Sequence, residues 1–182
     1  MKKLTHSRRR AGGPRGMRGT AAVEFAILLI PLVTMVLGVA EFGRAIYQYE
    51  ALTKATRDAT RYLSEFSPSD VAYPVADAQC LAVTGQLTSS QGCSGKPLVP
   101  GLTSSMVVIC DRVASSGCPG VSFGNIATYD ANNGASSGSP AGTVNLVEVK
   151  ITGFTYVPLG SFILSTTGLP FNNIATVMRQ VL

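Results

Sequence analysis

The fold is decided by Arg18-Gly19-Thr20-Ala21-Ala22-Val23-Glu24-Phe25 and the apolar run that follows it, Ala26-Ile27-Leu28-Leu29-Ile30-Pro31-Leu32-Val33-Thr34-Met35-Val36-Leu37-Gly38-Val39-Ala40. From Thr20 to Ala40 the only charged residue is Glu24. As a helix rising ~1.5 Å per residue, this segment is about 32 Å long, which matches the ~30 Å hydrocarbon core of a bilayer. The sequence therefore predicts a membrane-spanning helix whose partner is the lipid bilayer.

Two residues inside the apolar segment stand out. A carboxylate at mid-bilayer costs about 2.5–3.5 kcal/mol, so Glu24 indicates a function, although a side chain near the helix start can also snorkel to the headgroups. Pro31 removes one backbone N–H and crowds the carbonyl of Ile27, which predicts a kink or an opened turn. Membrane helices also tolerate proline without a special role.

The positive charge of the chain is confined to its start. The net charge is +5, but residues 1–19 carry seven Lys or Arg and no acid, whereas residues 20–182 carry a net charge of −2. A basic tail before an apolar span predicts a cytoplasmic N-terminus. No aromatic residue interleaves with these arginines, so we expect no nucleic-acid partner.

The helix is predicted to continue to about Ser64. Beyond Ala40 the chain has no proline up to that point, and an apolar stripe recurs at three- and four-residue steps: Leu52, Ala55, Ala59 and Leu63. Three charge pairs with i+3 or i+4 spacing are predicted on the solvent side: Glu41 with Arg44, Glu50 with Lys54, and Asp58 with Arg61. Phe42, Tyr47 and Tyr49 fit an aromatic belt at the membrane surface. They equally fit core residues that face the following domain, which is the favoured interpretation for Tyr49.

The remainder of the chain predicts a small head built on an antiparallel sheet. A short helix is expected at 76–82, strands at Met106–Cys110 and Val144–Thr152, and a closing strand at 174–182. The Gly-, Ser- and Asn-rich stretch 114–142 predicts a long surface loop. The fold class is therefore α+β, with a long N-terminal membrane-spanning helix packed on the sheet. The domain bounds are a leader at 1–19, the helix at 20–64 and the head at 65–182.

Four cysteines lie in the head, at Cys80, Cys93, Cys110 and Cys118. None forms a close Cys-x-x-Cys pair, and the single histidine, His6, lies in the leader, so we expect no metal. Two disulfides in an oxidising compartment are predicted instead. Three connectivities are possible, and the nearest-neighbour pairing, Cys80 with Cys93 and Cys110 with Cys118, is the simplest of them.

Enzymatic chemistry is not expected. Without a histidine after the leader, Ser–His and Cys–His nucleophilic sites cannot form. No glycine loop followed by Lys-Ser or Lys-Thr is present to bind phosphate. We therefore predict no catalytic residue, no cofactor and no small-molecule substrate.

The arrangement of Gly19, four residues, Glu24 and an apolar helix resembles type IV pilin precursors. Glu24-Phe25 and the later Glu41-Phe42-Gly43-Arg44 resemble more specifically the TadE-like minor pseudopilins of the tight-adherence (Tad, or Flp) pilus. This resemblance covers about residues 16–64. Weaker similarity lies in the Val144–Thr152 strand and in Ala175-Thr176-Val177-Met178-Arg179.

The resemblance implies a bacterial inner-membrane precursor that a prepilin peptidase cuts between Gly19 and Thr20. It implies that Glu24 and Phe25 act in assembly, and that the partners are other Tad pilus subunits and the inner-membrane assembly platform. The implied role is in pilus assembly, adhesion and biofilm formation. The major Flp pilin is much smaller and usually has Glu-Tyr here, so Glu24-Phe25 and the large head favour a minor subunit.

Three alternatives remain open from the sequence. A TadF-like protein shares the same N-terminal style, and a general-secretion pseudopilin usually has Phe directly after the cut, where this chain has Thr20. A signal-anchored envelope binding protein that no prepilin peptidase processes would also explain the basic tail, the apolar segment and the disulfides. It would not explain why Glu24 stands five residues after Gly19.

Overall fold

The computed structural model describes residues 17–88, 92–129, 140–159 and 168–180. The chain divides into two compact units, one ending at Ala40 and one beginning at Glu41. The predicted leader lies almost wholly outside the described residues, so its bounds at 1–19 stay a prediction.

A single helix, α1 (Met17–Ser64), contributes to both units. It ends at the predicted residue and begins three residues before Thr20. In the described part of the chain it is the only helix long and apolar enough to cross a membrane, and its apolar window is not buried inside the structure. This confirms the long apolar helix and fits a single-pass membrane anchor.

Pro31 lies inside α1, and the helix assignment runs through it without interruption. One turn later the Thr34 hydroxyl lies 3.1 Å from the carbonyl oxygen of Ile30 and 2.9 Å from that of Pro31. It can therefore donate to carbonyls of the turn that carries the proline. The predicted kink at Pro31 stays a prediction.

The second half of α1 packs through one stripe of side chains. Leu52, Ala55, Ala59 and Leu63 are all buried, as their spacing predicts. They join a core made with α2 (Val75–Thr84) and with the inner face of the sheet. Gly85 caps the end of α2: it has a left-handed φ of 73°, and its N–H donates to the carbonyl of Leu81 at 2.9 Å.

The sheet is antiparallel and centred on β3 (Gly142–Ile151). Its partners are β1 (Val107–Cys110), β2 (Ile126–Thr128) and β6 (Ile174–Gln180). Strands β1 and β6 both pair with residues 148–151 of β3, so they lie on its opposite edges. Burial alternates along β3: Asn145, Val147, Val149 and Ile151 are buried, while Leu146, Glu148 and Lys150 are half-buried. The α+β prediction is confirmed.

Strand β6 contacts α1 through threonine hydroxyls. The hydroxyls of Thr56 and Thr176, on α1 and β6, lie 3.0 Å apart, and the Thr60 hydroxyl lies 3.3 Å from the carbonyl of Thr176. Farther along, Gln180 donates to the hydroxyl of Tyr73 at 3.0 Å. Burial and the neighbouring carboxylate of Asp111 raise the pKa of Tyr73. This contact holds the end of β6 beside the segment that follows α1.

Two parts of the head differ from the sequence expectation. The predicted loop 114–142 contains β2 and the buried pair Cys118 and Phe123, which pack with Cys110 in a second small core. A two-stranded ribbon, β4 (Thr155–Tyr156) with β5 (Leu169–Pro170), was not predicted. It depends on Gly168, where φ is 76° and a Cβ would lie 2.6 Å from the Thr155 methyl carbon.

Candidate functional site

The predicted processing segment lies at the start of α1. Gly19 and Thr20 fall in the first turn, and Glu24 and Phe25 follow in the second. The first four N–H groups of a helix have no acceptor within it, so this end unwinds at less cost than the helix interior. A Cβ on Gly19 would have no heavy atom within 4 Å. No described residue therefore crowds Gly19, the residue before the predicted cut.

Glu24 and Phe25 are both exposed. Glu24 forms no ion pair with any residue that the structure describes. The apolar side chains from Val23 to Val39 are likewise exposed around the helix, with Ile27, Leu28, Ile30 and Met35 among them. An apolar surface on all sides of a helix is typical of a segment buried in a bilayer or among other helices. Among the described residues, none covers this segment or pairs with Glu24 within it.

The first residue after the apolar segment, Glu41, is only 9% exposed. Its carboxylate accepts hydrogen bonds from the Tyr156 hydroxyl at 2.5 Å, from the Leu159 N–H at 3.0 Å and from Arg44 at 3.2 Å. The Tyr156 hydroxyl also lies 3.1 Å from the Glu41 backbone carbonyl. We call Glu41, Arg44, Tyr156 and the backbone of Val157 and Leu159 the Glu41 contact.

Arg44 completes this contact. Its guanidinium forms the salt bridge with Glu41, donates to the carbonyl of Val157 at 2.7 Å and lies 4.8 Å from the centre of the Tyr156 ring. Tyr156 itself is fully buried and stacks on Phe171 with ring centres 6.1 Å apart. Helix α1 thus holds residues 156–159 through one carboxylate and one guanidinium.

The electrostatics of the contact follow from these bonds. The hydrogen bond from Tyr156 holds the pKa of Glu41 below its ordinary value; burial acts in the opposite direction, and Arg44 and the Leu159 N–H add to the lowering. Burial and the Glu41 carboxylate raise the pKa of Tyr156. At neutral pH the site holds a charged glutamate bonded to a neutral tyrosine.

The prediction that Glu41 and Arg44 form a solvent-side pair is wrong. They do pair, but Glu41 is buried, because its main partner is Tyr156, 115 residues away in the sequence. Local spacing cannot detect such a partner. The available signal was position, since Glu41 is the first charge after the apolar run. Glu50 with Lys54 and Asp58 with Arg61 form no salt bridge in the described chain.

The aromatic residues of α1 divide between the two interpretations. Phe42 and Tyr47 are exposed. Tyr49 is half-exposed and meets Phe171 edge-on, with ring centres 5.8 Å apart, so it faces the head.

The head contains the disulfides Cys80–Cys93 and Cys110–Cys118, which are the nearest-neighbour pairs, and no cysteine is free. Among the described residues, Cys110, Cys118 and Glu148 form the one group of potential metal ligands. Two of the three are joined in the second disulfide, so this group offers no thiolate to a metal.

Comparison with known proteins adds one finding. Residues 19–61 match the family profile described as TadE-like protein, which confirms the resemblance noted in the sequence. The match implies a protein associated with the Tad pilus, with other pilus subunits as its partners, in a family that is structural rather than enzymatic. No curated protein shows significant similarity to the chain. No solved structure does either.

Proposed function

We propose that the protein is a minor pilin, or pseudopilin, of the Tad (Flp) pilus. It enters the bacterial inner membrane with its N-terminus in the cytoplasm, and a prepilin peptidase cuts it between Gly19 and Thr20. It then joins other subunits at the assembly platform and is needed for pilus assembly, adhesion and biofilm formation. The observation that carries this proposal is the TadE-like match, which begins at Gly19 and extends through the apolar segment into the head-packing half of α1.

The positive charges before the span and the disulfides after it both support the proposed topology. Seven positive charges precede the apolar segment, which favours a cytoplasmic start. The head carries two disulfides, which persist in oxidising compartments such as the periplasm. A peptidase acting before the span must therefore work from the cytoplasmic side.

Glu24 is proposed to act in assembly. The cut releases an α-amino group on Thr20, four residues before Glu24 and so about one helical turn away. That positive charge compensates the carboxylate, within the chain or between neighbouring subunits, where the pair would set the axial register. An opposed pair in a low-dielectric region is worth more than the ~0–1 kcal/mol of an exposed one, minus its desolvation cost.

Processing can be tested at Gly19 with a matched control on the same helix. A Cβ meets no heavy atom within 4 Å at either Gly19 or Gly38, so substitutions at both positions are sterically accommodated. We expect Gly19→Leu to block the cut and Gly38→Leu to permit it. Mass spectrometry of the N-terminus, with and without the host's prepilin peptidase, measures this.

The same measurement decides the main alternative. A wild-type N-terminus that remains at Met1 would contradict the pilin proposal and favour a signal-anchored envelope protein. An N-terminus beyond Ala40 would contradict membrane anchoring by this helix.

The assembly role can be tested with Glu24→Gln. This variant should be made, cleaved and inserted normally, yet it should reduce pilus counts and co-purification with other pilus subunits. Glu50→Gln, at an exposed glutamate on the head-packing half of α1, is the control and should leave both unchanged. Wild-type pilus counts in Glu24→Gln would refute the assembly role and leave Glu24 as a snorkelling side chain.

A further inference from the structure

Three exposed apolar side chains belong to residues of the Glu41 contact or lie next to one of them in the sequence. Phe42, next to Glu41, is 69% exposed; Val157, whose carbonyl accepts from Arg44, is 65% exposed; and Leu159, whose N–H donates to Glu41, is 81% exposed. Between the latter two, Pro158 is buried. The segment is thus fixed with its proline inward and its two large aliphatic side chains outward.

Exposed aliphatic side chains that occur singly need no explanation, and the head has several, such as Val71 and Val113. The group around Glu41 differs in its position, because Glu41 follows Ala40 directly in one continuous helix. Phe42 lies in the first turn after the apolar segment, and the backbone groups of Val157 and Leu159 are hydrogen-bonded to side chains of that turn. The three residues therefore lie at the turn of α1 that directly follows the apolar segment.

The sequence around two members of this group, Val157 and Leu159, carries no charge. From Ile151 to Met178 the chain has no Asp, Glu, Lys, Arg or His, the longest such stretch in the head. Charged side chains resist transfer to the acyl boundary of a membrane, whereas exposed Leu, Val and Phe favour it. The only charges in the Glu41 contact, Glu41 and Arg44, neutralise each other in a salt bridge.

We propose that Phe42, Val157 and Leu159 form a second membrane contact, which seats the head on the lipid surface at the end of the span. The occupant is the boundary between headgroups and acyl chains of the bilayer that holds α1. The Glu41 contact keeps residues 157–159 at that depth. This inference rests on the membrane anchor of the proposed function and adds a lipid-binding surface on the head.

The experiment uses the absence of tryptophan from the chain. Single-tryptophan variants of the full chain are reconstituted in phosphatidylcholine vesicles whose acyl chains carry bromine at defined depths. Leu159→Trp and Val157→Trp report the proposed contact, and Val33→Trp reports the span. Val71→Trp is the control, because Val71 is fully exposed and follows the end of α1, and that end lies about 35 Å along the helix axis from Glu41.

We expect strong quenching of Val33→Trp, quenching of Leu159→Trp and Val157→Trp chiefly by shallow bromines, and none of Val71→Trp. Leu159→Trp and Val157→Trp should also emit at shorter wavelength than Val71→Trp. If Val33→Trp is quenched and both head reporters behave like Val71→Trp, the second contact is refuted and the anchor stands. If Val33→Trp also escapes quenching, the anchor itself is refuted.

One further outcome would assign the surface to protein. Unquenched head reporters whose emission shifts to shorter wavelength only after other Tad pilus subunits are added would overturn the lipid proposal.

Discussion

The two halves of α1 differ in where their partner lies. Residues 20–40 present apolar side chains on every side and leave them exposed, whereas residues 41–64 bury one stripe that includes Leu52, Ala59 and Leu63. No described residue covers the first half, whereas the second half packs against the head. One helix therefore combines a segment whose environment is external with a segment that forms part of a folded core.

The largest expected effect tests this division directly. Leu52→Ala should lower the free energy of unfolding of the head by about 2–5 kcal/mol, because Leu52 is fully buried. Leu28→Ala, at an exposed leucine of the first half, should change it by less than about 0.5 kcal/mol. Urea unfolding of the full chain in detergent, followed by the near-UV signal of tyrosine, measures both. Equal losses of unfolding free energy in the two variants would show that the two halves of α1 do not contribute independently to the stability of the head.

Removing a disulfide should destabilise the head without releasing the anchor. The double variant Cys80→Ala/Cys93→Ala should cost about 3 kcal/mol, and Cys110→Ala/Cys118→Ala somewhat less, because its loop is shorter. Both variants should remain in the membrane fraction after alkaline washing. Release of either variant into the wash would contradict the independence of the two halves.

Glu41 lies at the boundary between the two halves of α1, and its contribution to the stability of the head should depend on pH. Glu41→Gln should lower the urea midpoint of the head at pH 7, whereas Glu50→Gln should not, because Glu50 is exposed and forms no salt bridge. The folded state lowers the pKa of Glu41 below its ordinary 4.5, so the added stability is present above pH 4.5 and is lost as pH falls through the lowered value.

The difference between wild type and Glu41→Gln should therefore shrink as the pH is lowered below 4.5. A difference that stays constant from pH 7 to pH 3 would show that the charge of Glu41 does not stabilise the contact.

The smallest expected effect concerns two threonine hydroxyls. Thr176→Val removes the bond to Thr56 across the helix–sheet contact and should cost about 1 kcal/mol. In the first half, the Thr34 hydroxyl bonds only to carbonyls of its own helix, so Thr34→Val should leave head unfolding unchanged. A loss of the same size in both variants would show that the bond between Thr56 and Thr176 adds nothing specific to the helix–sheet contact.

Periodic features of the sequence predicted the main elements correctly. The apolar stripe that includes Leu52 and Leu63 arises because one face of α1 is buried, and the alternating burial along β3 has the same cause. Burial of one face gives apolar residues a regular spacing, which can be read from the sequence. Strand β2 was missed because its surroundings are rich in Gly, Ser and Asn, and the Cys110–Cys118 disulfide brings that segment to the sheet. The β4–β5 ribbon was missed because two-residue strands have no period.

The site divides in the same way. Gly19, Thr20, Glu24 and Phe25 could be proposed from a short motif, and their roles stay predictions because the structure of a single chain does not test recognition by other proteins. The burial of Glu41 could not be predicted, since it requires Tyr156 to be brought to α1 by the whole head. Contacts between residues more than 100 positions apart cannot be recognised from the spacing of neighbouring residues in the sequence.

Strand β6 is the last strand that the structure describes, and it pairs with seven residues of the central strand and contacts α1 at Thr56 and Thr60. A chain is made from its N-terminus, so α1 exists long before β6 is synthesised. Until residues 174–180 arrive, one edge of β3 has no partner and the polar groups of α1 that meet Thr176 remain uncovered. A chain that stalls before residues 174–180 are made therefore exposes an open edge of β3 to aggregation.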